Sequence, residues 1–279
     1  MRRPLAATAA VLALAAVPVA GCGSSGDGTK AAPARPEQPV VRAAAATKHA
    51  GSAKVSFRGS VEAAGRRIPI TGGGAVDLKA SRARLTVGTR LPGAGTLSVD
   101  QLVDGQTLYV RTPALFSFLP GGKEWLKIDL ARAARAKGID LGSLRGLSAS
   151  GDPSQYVAWL AVAGNARRVG RETIRGVPTT HYAARVDVRR LATSADPSLR
   201  RSVEQLGVRS VPVDVWLDGQ ALVRRMRLAV GSGATAVPAK MDLTIDFSDF
   251  GTAVDAAPPD AASTLDVTGT ASAALKLLG

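Results

Sequence analysis

From Lys54 to about Phe250 the hydrophobic positions recur with a period of two, the spacing of strands that have one dry face and one wet face. Val55, Phe57 and Val61 alternate with Lys54, Ser56, Arg58 and Ser60; Ala83, Leu85 and Val87 alternate with Arg82, Arg84 and Thr86. Later runs are cleaner: Val211, Val213, Val215 and Leu217, then Met226, Leu228 and Val230, then Met241, Leu243, Ile245 and Phe247. The short links between runs imply antiparallel pairing. Asp104-Gly105 and Asp218-Gly219 suit tight hairpins because Asp and Gly tolerate positive φ, and Pro92-Gly93-Ala94-Gly95 marks another reversal. Gly72-Gly73-Gly74 reads as a bulge or tight bend in a curved sheet.

Two segments change period. Asp152-Pro153 places a capping carboxylate before a proline at the first helical position, with Gln155 set to complete a capping box. Tyr156, Trp159, Leu160 and Ala163 then share one helical stripe, and Gly164 supplies the stop. Asp196-Pro197 repeats the device, with Leu199, Val203 and Leu206 on a stripe and Gly207 at its end; a shorter helix is expected from Leu130 to Lys137. The order is about six strands, a helical segment, two strands, a helical segment and three strands. That is an α+β fold: a large curved antiparallel sheet wrapped around two or three helices.

Both ends of the chain lose this periodicity. Arg2-Arg3 followed by the apolar run Leu5 to Val17 and the small residues Val19-Ala20-Gly21 has the form of an export signal, too short for a bilayer span. The tetrapeptide Val19-Ala20-Gly21-Cys22 resembles the lipobox of bacterial lipoproteins, in which the thiol is acylated and becomes the mature N-terminus. Residues 1–21 are thus expected to be a signal peptide, 22–46 a lipidated cysteine and a Gly/Ser/Ala/Pro-rich tether, 47–265 the folded domain and 266–279 a tail. The expected location is the outer face of the cell membrane.

Composition narrows the chemistry. The 279 residues hold one cysteine and two histidines, which exclude a disulfide framework and Cys-rich metal sites and leave little for base catalysis. Gly-x-Ser-x-Gly and Ser-x-x-Lys are absent, as is a phosphate-cradling Gly-Lys-Ser/Thr, so neither catalytic residues nor a metal or cofactor are expected. His181 shares a strand face with Arg185 and Asp187, where polar packing on a sheet is the better reading than a His–Asp catalytic pair without a nucleophile. The net charge of +14 comes with only 4% aromatic residues, not interleaved with the arginines as single-stranded nucleic acid would require. For an exported body the same charge meets anionic headgroups and envelope polymers.

Leu115-Phe116-Ser117-Phe118-Leu119-Pro120, followed by Trp125-Leu126, gathers two of the five Phe and one of the three Trp in a non-periodic stretch. Such a segment either binds a ligand or closes the open edge of a curled sheet, and a cavity would let it do both. With the helical stripe it gives the candidate ligand-binding residues Leu115, Phe116, Phe118, Leu119, Leu126, Tyr156, Trp159 and Leu160.

Several phrases in order resemble actinobacterial lipoproteins of the LppX/LprG type: the lipobox and Pro-rich tether, Val-Asp-Gly-Gln-Thr-Leu-Tyr-Val at 103–110, Trp-Leu-Lys-Ile-Asp at 125–129, Asp-Pro-x-x-Tyr at 152–156 and the run 169–187. That resemblance implies a half-barrel of the LolA/LolB kind around helices, with an apolar cavity that takes lipid or acylated glycolipid for transport in the envelope. It also implies a lipid-anchored monomer without enzymatic activity, acylated at Cys22. A non-catalytic envelope scaffold or sensor module, with a protein partner, is the alternative use of the same fold.

Overall fold

In the computed structural model the described residues are 38–63, 65–91, 95–113, 116, 119–135, 153–187, 190, 209–231 and 239–269. The chain divides into two units, Met1–Pro36 and Glu37–Gly279, and all described residues belong to the second. The expected leader, Cys22, Leu115, Phe118 and the Asp196–Gly207 helical segment lie outside the described residues.

The elements run α1 (Pro39–His49), β1 (Ser52–Ala63), β2 (Arg66–Asp77), β3 (Arg82–Leu91), β4 (Gly95–Asp104), β5 (Thr107–Arg111), β6 (Trp125–Asp129), α2 (Leu130–Arg135) and α3 (Pro153–Trp159). They continue β7 (Ala163–Ile174), β8 (Val177–Asp187), β9 (Ser210–Leu217), β10 (Val223–Gly231), β11 (Ala239–Ser248) and β12 (Thr264–Asp266). The twelve strands of the described residues form one open sheet in the order β12-β6-β5-β4-β3-β2-β1-β11-β10-β9-β8-β7. Two antiparallel meanders, β1–β6 and β7–β11, are therefore sewn together where β1 pairs with β11. The α+β expectation and the strand count up to β11 match this architecture.

Among the described residues two helices pack on the inner face of the sheet. α1 packs on β7, β9 and β10, while α3 packs on α1 and on β2, so the sheet bends around the pair. Beneath them lies the main core, with Val76, Val186, Val215, Met226, Leu228 and Ile245 all at 0% exposure. Each such side chain contributes about 1.5–3 kcal/mol on burial.

Glycines let neighbouring backbones and rings approach on the inner side of the bend. A Cβ at Gly72 would collide with the Phe57 ring and the Thr86 carbonyl oxygen, and one at Gly74 with the Arg84 carbonyl. The register through Gly72-Gly73-Gly74 is uninterrupted against both β1 and β3, so of the two expected readings, a bulge or a tight bend in the curved sheet, the bulge is excluded and the triplet is a close-packed strand segment.

Other expectations are corrected. The tether does not extend to residue 46, because Pro39–Ala46 already belongs to α1, whose Val40, Ala43, Ala44 and Thr47 form a buried i, i+3, i+4, i+7 stripe. Alanine carries half of that stripe, which makes it read as low-complexity linker. The Val223 N–H donates to the buried Thr47 hydroxyl at 3.0 Å, tying the helix to β10. The helix expected through Ala163 ends at Trp159, followed by a single tight turn, Leu160–Val162; Ala163 instead opens β7 and pairs with Val186. Asp218-Gly219 is not a two-residue hairpin: Asp218 Oδ1 accepts from the N–H groups of Gln220 and Leu222 and organises a longer loop in which Ala221 takes φ 60°. The domain also runs past 265. Asp266 in β12 pairs with Arg132 at 2.9 Å, and the Asp129 N–H donates to the buried Thr268 hydroxyl.

Candidate functional site

Strand registers define what the inner face presents. One row of directly opposed residues crosses six strands: Ala53, Val76, Ala83, Val103, Leu108 and Ile128. Every member is apolar, yet burial changes along the row. Ala53 and Val76 are 0% exposed and Ala83 2%, whereas Val103, Leu108 and Ile128 are only half-buried. The next row, Leu85, Gln101, Val110 and Leu126, repeats the trend from a buried Leu85 to a half-buried Leu126. Among the described residues α1 and α3 pack over β7, β9, β10 and β2, α2 meets β5 and β6, and the inner-face residues of β4–β6 form a half-buried, largely apolar strip. Such a surface offers dispersion contacts and desolvation without charge, at about 0.8 kcal/mol per CH₂ group covered.

The expected site residues distribute unevenly around it. Leu126 stands on the strip. Tyr156 and Leu160, at 7% and 0% exposure, are sealed in the main core, where they support the helix layer. Trp159 is half-buried beside them, its ring 5.2 Å from that of Tyr156 in an edge-to-face pair. Phe116 is half-buried at the end of β5, with the Arg111 guanidinium 5.3 Å from its ring centroid; Arg111 also reaches Glu124 at 3.1 Å and the Trp125 ring at 5.9 Å. Leu119 is half-buried and its N–H donates to the Phe116 carbonyl at 3.3 Å. Val103, Leu108, Val110 and Ile128 were not among the sequence candidates. Their signal was the ordinary alternation of β4, β5 and β6, which reads as core.

The opposite face differs along the sheet: on β4–β6 it carries a small second core of Leu102, Tyr109 and Ala256 with Trp125 and Val254 against it, and around β8–β11 it is a charged lattice. Arg225 holds Asp246 through two hydrogen bonds, the Nη2–Oδ2 contact at 2.8 Å, with Arg175 at 3.6 Å and Arg58 at 3.9 Å from the same carboxylate. Burial works against the Asp246 charge, but hydrogen bonding from Arg225 and the fields of Arg225, Arg58 and Arg175 outweigh it and hold the carboxyl below its ordinary range. His181 lies flat on Trp216, 4.2 Å between centroids, with Nε2 2.9 Å from Asp214 and Nδ1 3.1 Å from Glu172. Both ring nitrogens thus face carboxylates and neither faces a nucleophile. The partner is not Asp187, as its strand spacing suggested.

Among the described residues no group of three or more His, Cys, Asp or Glu side chains could hold a metal ion. No helix of the described residues is long and apolar enough to cross a membrane.

No protein-family model matches the chain. It is 32% identical over 157 residues to an uncharacterized 31.2 kDa protein of Streptomyces griseus, a match covering 52% of this chain and 49% of that protein. The chain thus spans about half the length of that relative. A candidate lipoprotein of Streptomyces coelicolor is 28% identical over 235 residues, covering 79% of this chain and 71% of the relative. Among solved structures the chain is similar to LprF from Mycobacterium bovis, with a TM-score of 0.46 and 15% identity over 79% of this chain and 95% of that one. It is also similar to the Mycobacterium tuberculosis lipoprotein LppX, at 0.44 and 13% over 78% and 98%.

Proposed function

We propose that this chain is an LppX/LprG-type lipoprotein, anchored through Cys22 on the outer face of the cell membrane, that holds the acyl chains of a lipid or glycolipid and moves it within the envelope. The observation that carries the reading is the burial gradient along Ala53, Val76, Ala83, Val103, Leu108 and Ile128: an apolar row that is fully buried on β1–β3 is only half-buried on β4–β6. Half-buried apolar rows retain surface that a ligand can still cover, and a curved, largely apolar surface with few polar groups is the usual form of a small-molecule site. The lipobox-like Val19-Ala20-Gly21-Cys22 and the similarity to a candidate lipoprotein support the anchor. The strip offers contact and no reacting group, so the protein carries its ligand unchanged.

Native mass spectrometry of the chain recovered from membranes, followed by extraction of bound lipid, tests this. The expected result is an acyl lipid bound to the parent chain and lost from Leu108→Trp, whose indole fills the strip, with the sheet still folded by circular dichroism. An N-terminal acyl mass removed by Cys22→Ser is expected in parallel. A chain that is consistently empty, with binding of a defined envelope protein insensitive to Leu108→Trp, would replace carriage by a scaffold role.

A further inference from the structure

Two polar side chains interrupt the apolar strip. Gln101 stands in the row between Leu85 and Val110, half-buried on the inner face. Val99 and Val103, its neighbours on the same face of β4, are apolar. Among the described residues Gln101 has no side-chain hydrogen bond, although its amide carries two donors and an acceptor.

Thr112 follows Arg111, the last ladder residue of β5, which pairs with Asp100. Pro113 comes next, and the residue before a proline is held extended. The alternation of β5 therefore carries through Thr112 and places it on the face of Val110, diagonal to Gln101 at roughly 7 Å. Thr112 is 8% exposed and its Oγ1 is buried without a hydrogen-bond partner. Folded proteins pair the large majority of such groups, so an orphan hydroxyl at the edge of an apolar recess points to an acceptor supplied from outside the chain.

We propose that Gln101 and Thr112 form a carbonyl-binding spot in the strip, which takes the ester or amide carbonyl of a lipid acyl chain. A carbonyl oxygen has two lone pairs and can accept from the Thr112 hydroxyl and the Gln101 amide together. The surrounding apolar rows hold the hydrocarbon on either side, so the two donors set the depth at which the chain is joined to its headgroup. This inference rests on the lipid-carrying reading above and assigns the polar contact that the reading lacks.

The test is a competition. The full chain carrying Cys22→Ser, stripped of lipid, is offered equal amounts of dimyristoyl phosphatidylglycerol and its di-O-tetradecyl ether counterpart, and the bound ratio is read by native mass spectrometry. The two lipids differ only in the carbonyls. The expected ratio is about tenfold in favour of the ester, the worth of one to two net hydrogen bonds. Gln101→Leu and Thr112→Val are each expected to lower it several-fold, and the double variant to bring it near one. Thr86→Val, which removes a hydroxyl bonded to Asp100 on the other face, keeps the tenfold ratio.

A ratio near one in the parent chain, or an undiminished ratio in the double variant, overturns the proposal while leaving lipid carriage standing. Binding of neither lipid overturns the lipid reading and this proposal with it. The melting temperature of the stripped Thr112→Val chain is expected to be unchanged or higher, since an unpaired buried hydroxyl is removed. A clear drop would show that the hydroxyl already has a structural partner and would overturn the proposal independently.

Discussion

Asp246→Asn isolates a buried electrostatic link of the sheet. The Asp246 side chain is 3% exposed and carries the charge that three guanidinium groups share. Arg58 and Arg175 are 62% and 54% exposed and 3.9 and 3.6 Å away, so each returns to water at a cost of about 0–1 kcal/mol. Arg225 is different: only 22% exposed and bonded twice to the carboxylate, it is left half-satisfied in a partly dry site. Removing one partner of a buried pair typically costs about 3–5 kcal/mol, and the residual exposure of Arg225 together with the remaining Asn hydrogen bond place this case near ~3 kcal/mol. For a domain of this size that is a fall in Tm of about 10 °C.

The pH dependence has a definite sign. The native Asp246 carboxyl sits below the ordinary value of 3.8 that holds in the unfolded chain. Its contribution is fully present above that value and is lost as pH falls through the lower native one. Urea titrations of the parent and Asp246→Asn should therefore differ by ~3 kcal/mol at pH 7 and converge in acid below about pH 4. A difference under ~1 kcal/mol at pH 7, or one that stays constant into acid, would refute the reasoning.

Thr47→Val leaves the buried Val223 N–H without its acceptor and should cost about 1–3 kcal/mol by urea unfolding, most of it restored by Thr47→Ser; an unchanged midpoint would remove α1 from the account of the core. Gly72→Ala should destabilise by about 1–3 kcal/mol in thermal melts, because its Cβ meets both the Phe57 ring and the Thr86 carbonyl. Phe57→Leu should relieve only the first of these collisions, so rescue in the double variant is partial; complete rescue would locate the strain in the ring alone. Leu160→Ala, in the fully buried core, should lose about 2–5 kcal/mol, whereas Leu126→Ala should lose less stability and show its effect in lipid occupancy; the reverse order would interchange the roles assigned to α3 and β6.

The period-two runs located β1, β3 and β9–β11 because each has one face against the helices and one against water. Hairpins formed where the links were short, although the turn conformations differed: Asp218 acts through its carboxylate and not through a positive φ. α1 was hidden because Ala43 and Ala44 bury a helix face without looking hydrophobic, and Pro39 reads equally as a linker residue or a first helical position. β12 was hidden because three residues in a parallel edge pair with β6 leave no period to detect. For the site, aromatic richness marks Phe116 and Tyr156, one of which meets Arg111 while the other fills the core. What distinguishes Val103, Leu108 and Ile128 from Val76 and Ala83 is the degree of burial, a tertiary property that alternation along one strand does not encode.

The proposed lipid-carrying role places acyl chains on the inner face of β4–β6. Its most direct test is paramagnetic broadening of methyl resonances by a phosphatidylglycerol carrying a doxyl group on one acyl chain. The account predicts selective loss of the Val103, Leu108, Val110, Leu126 and Ile128 methyl signals, with Val213, Met226 and Leu228 under the helices unaffected. Uniform broadening, or broadening confined to residues of the charged outer face while the β4–β6 methyls stay sharp, would contradict it.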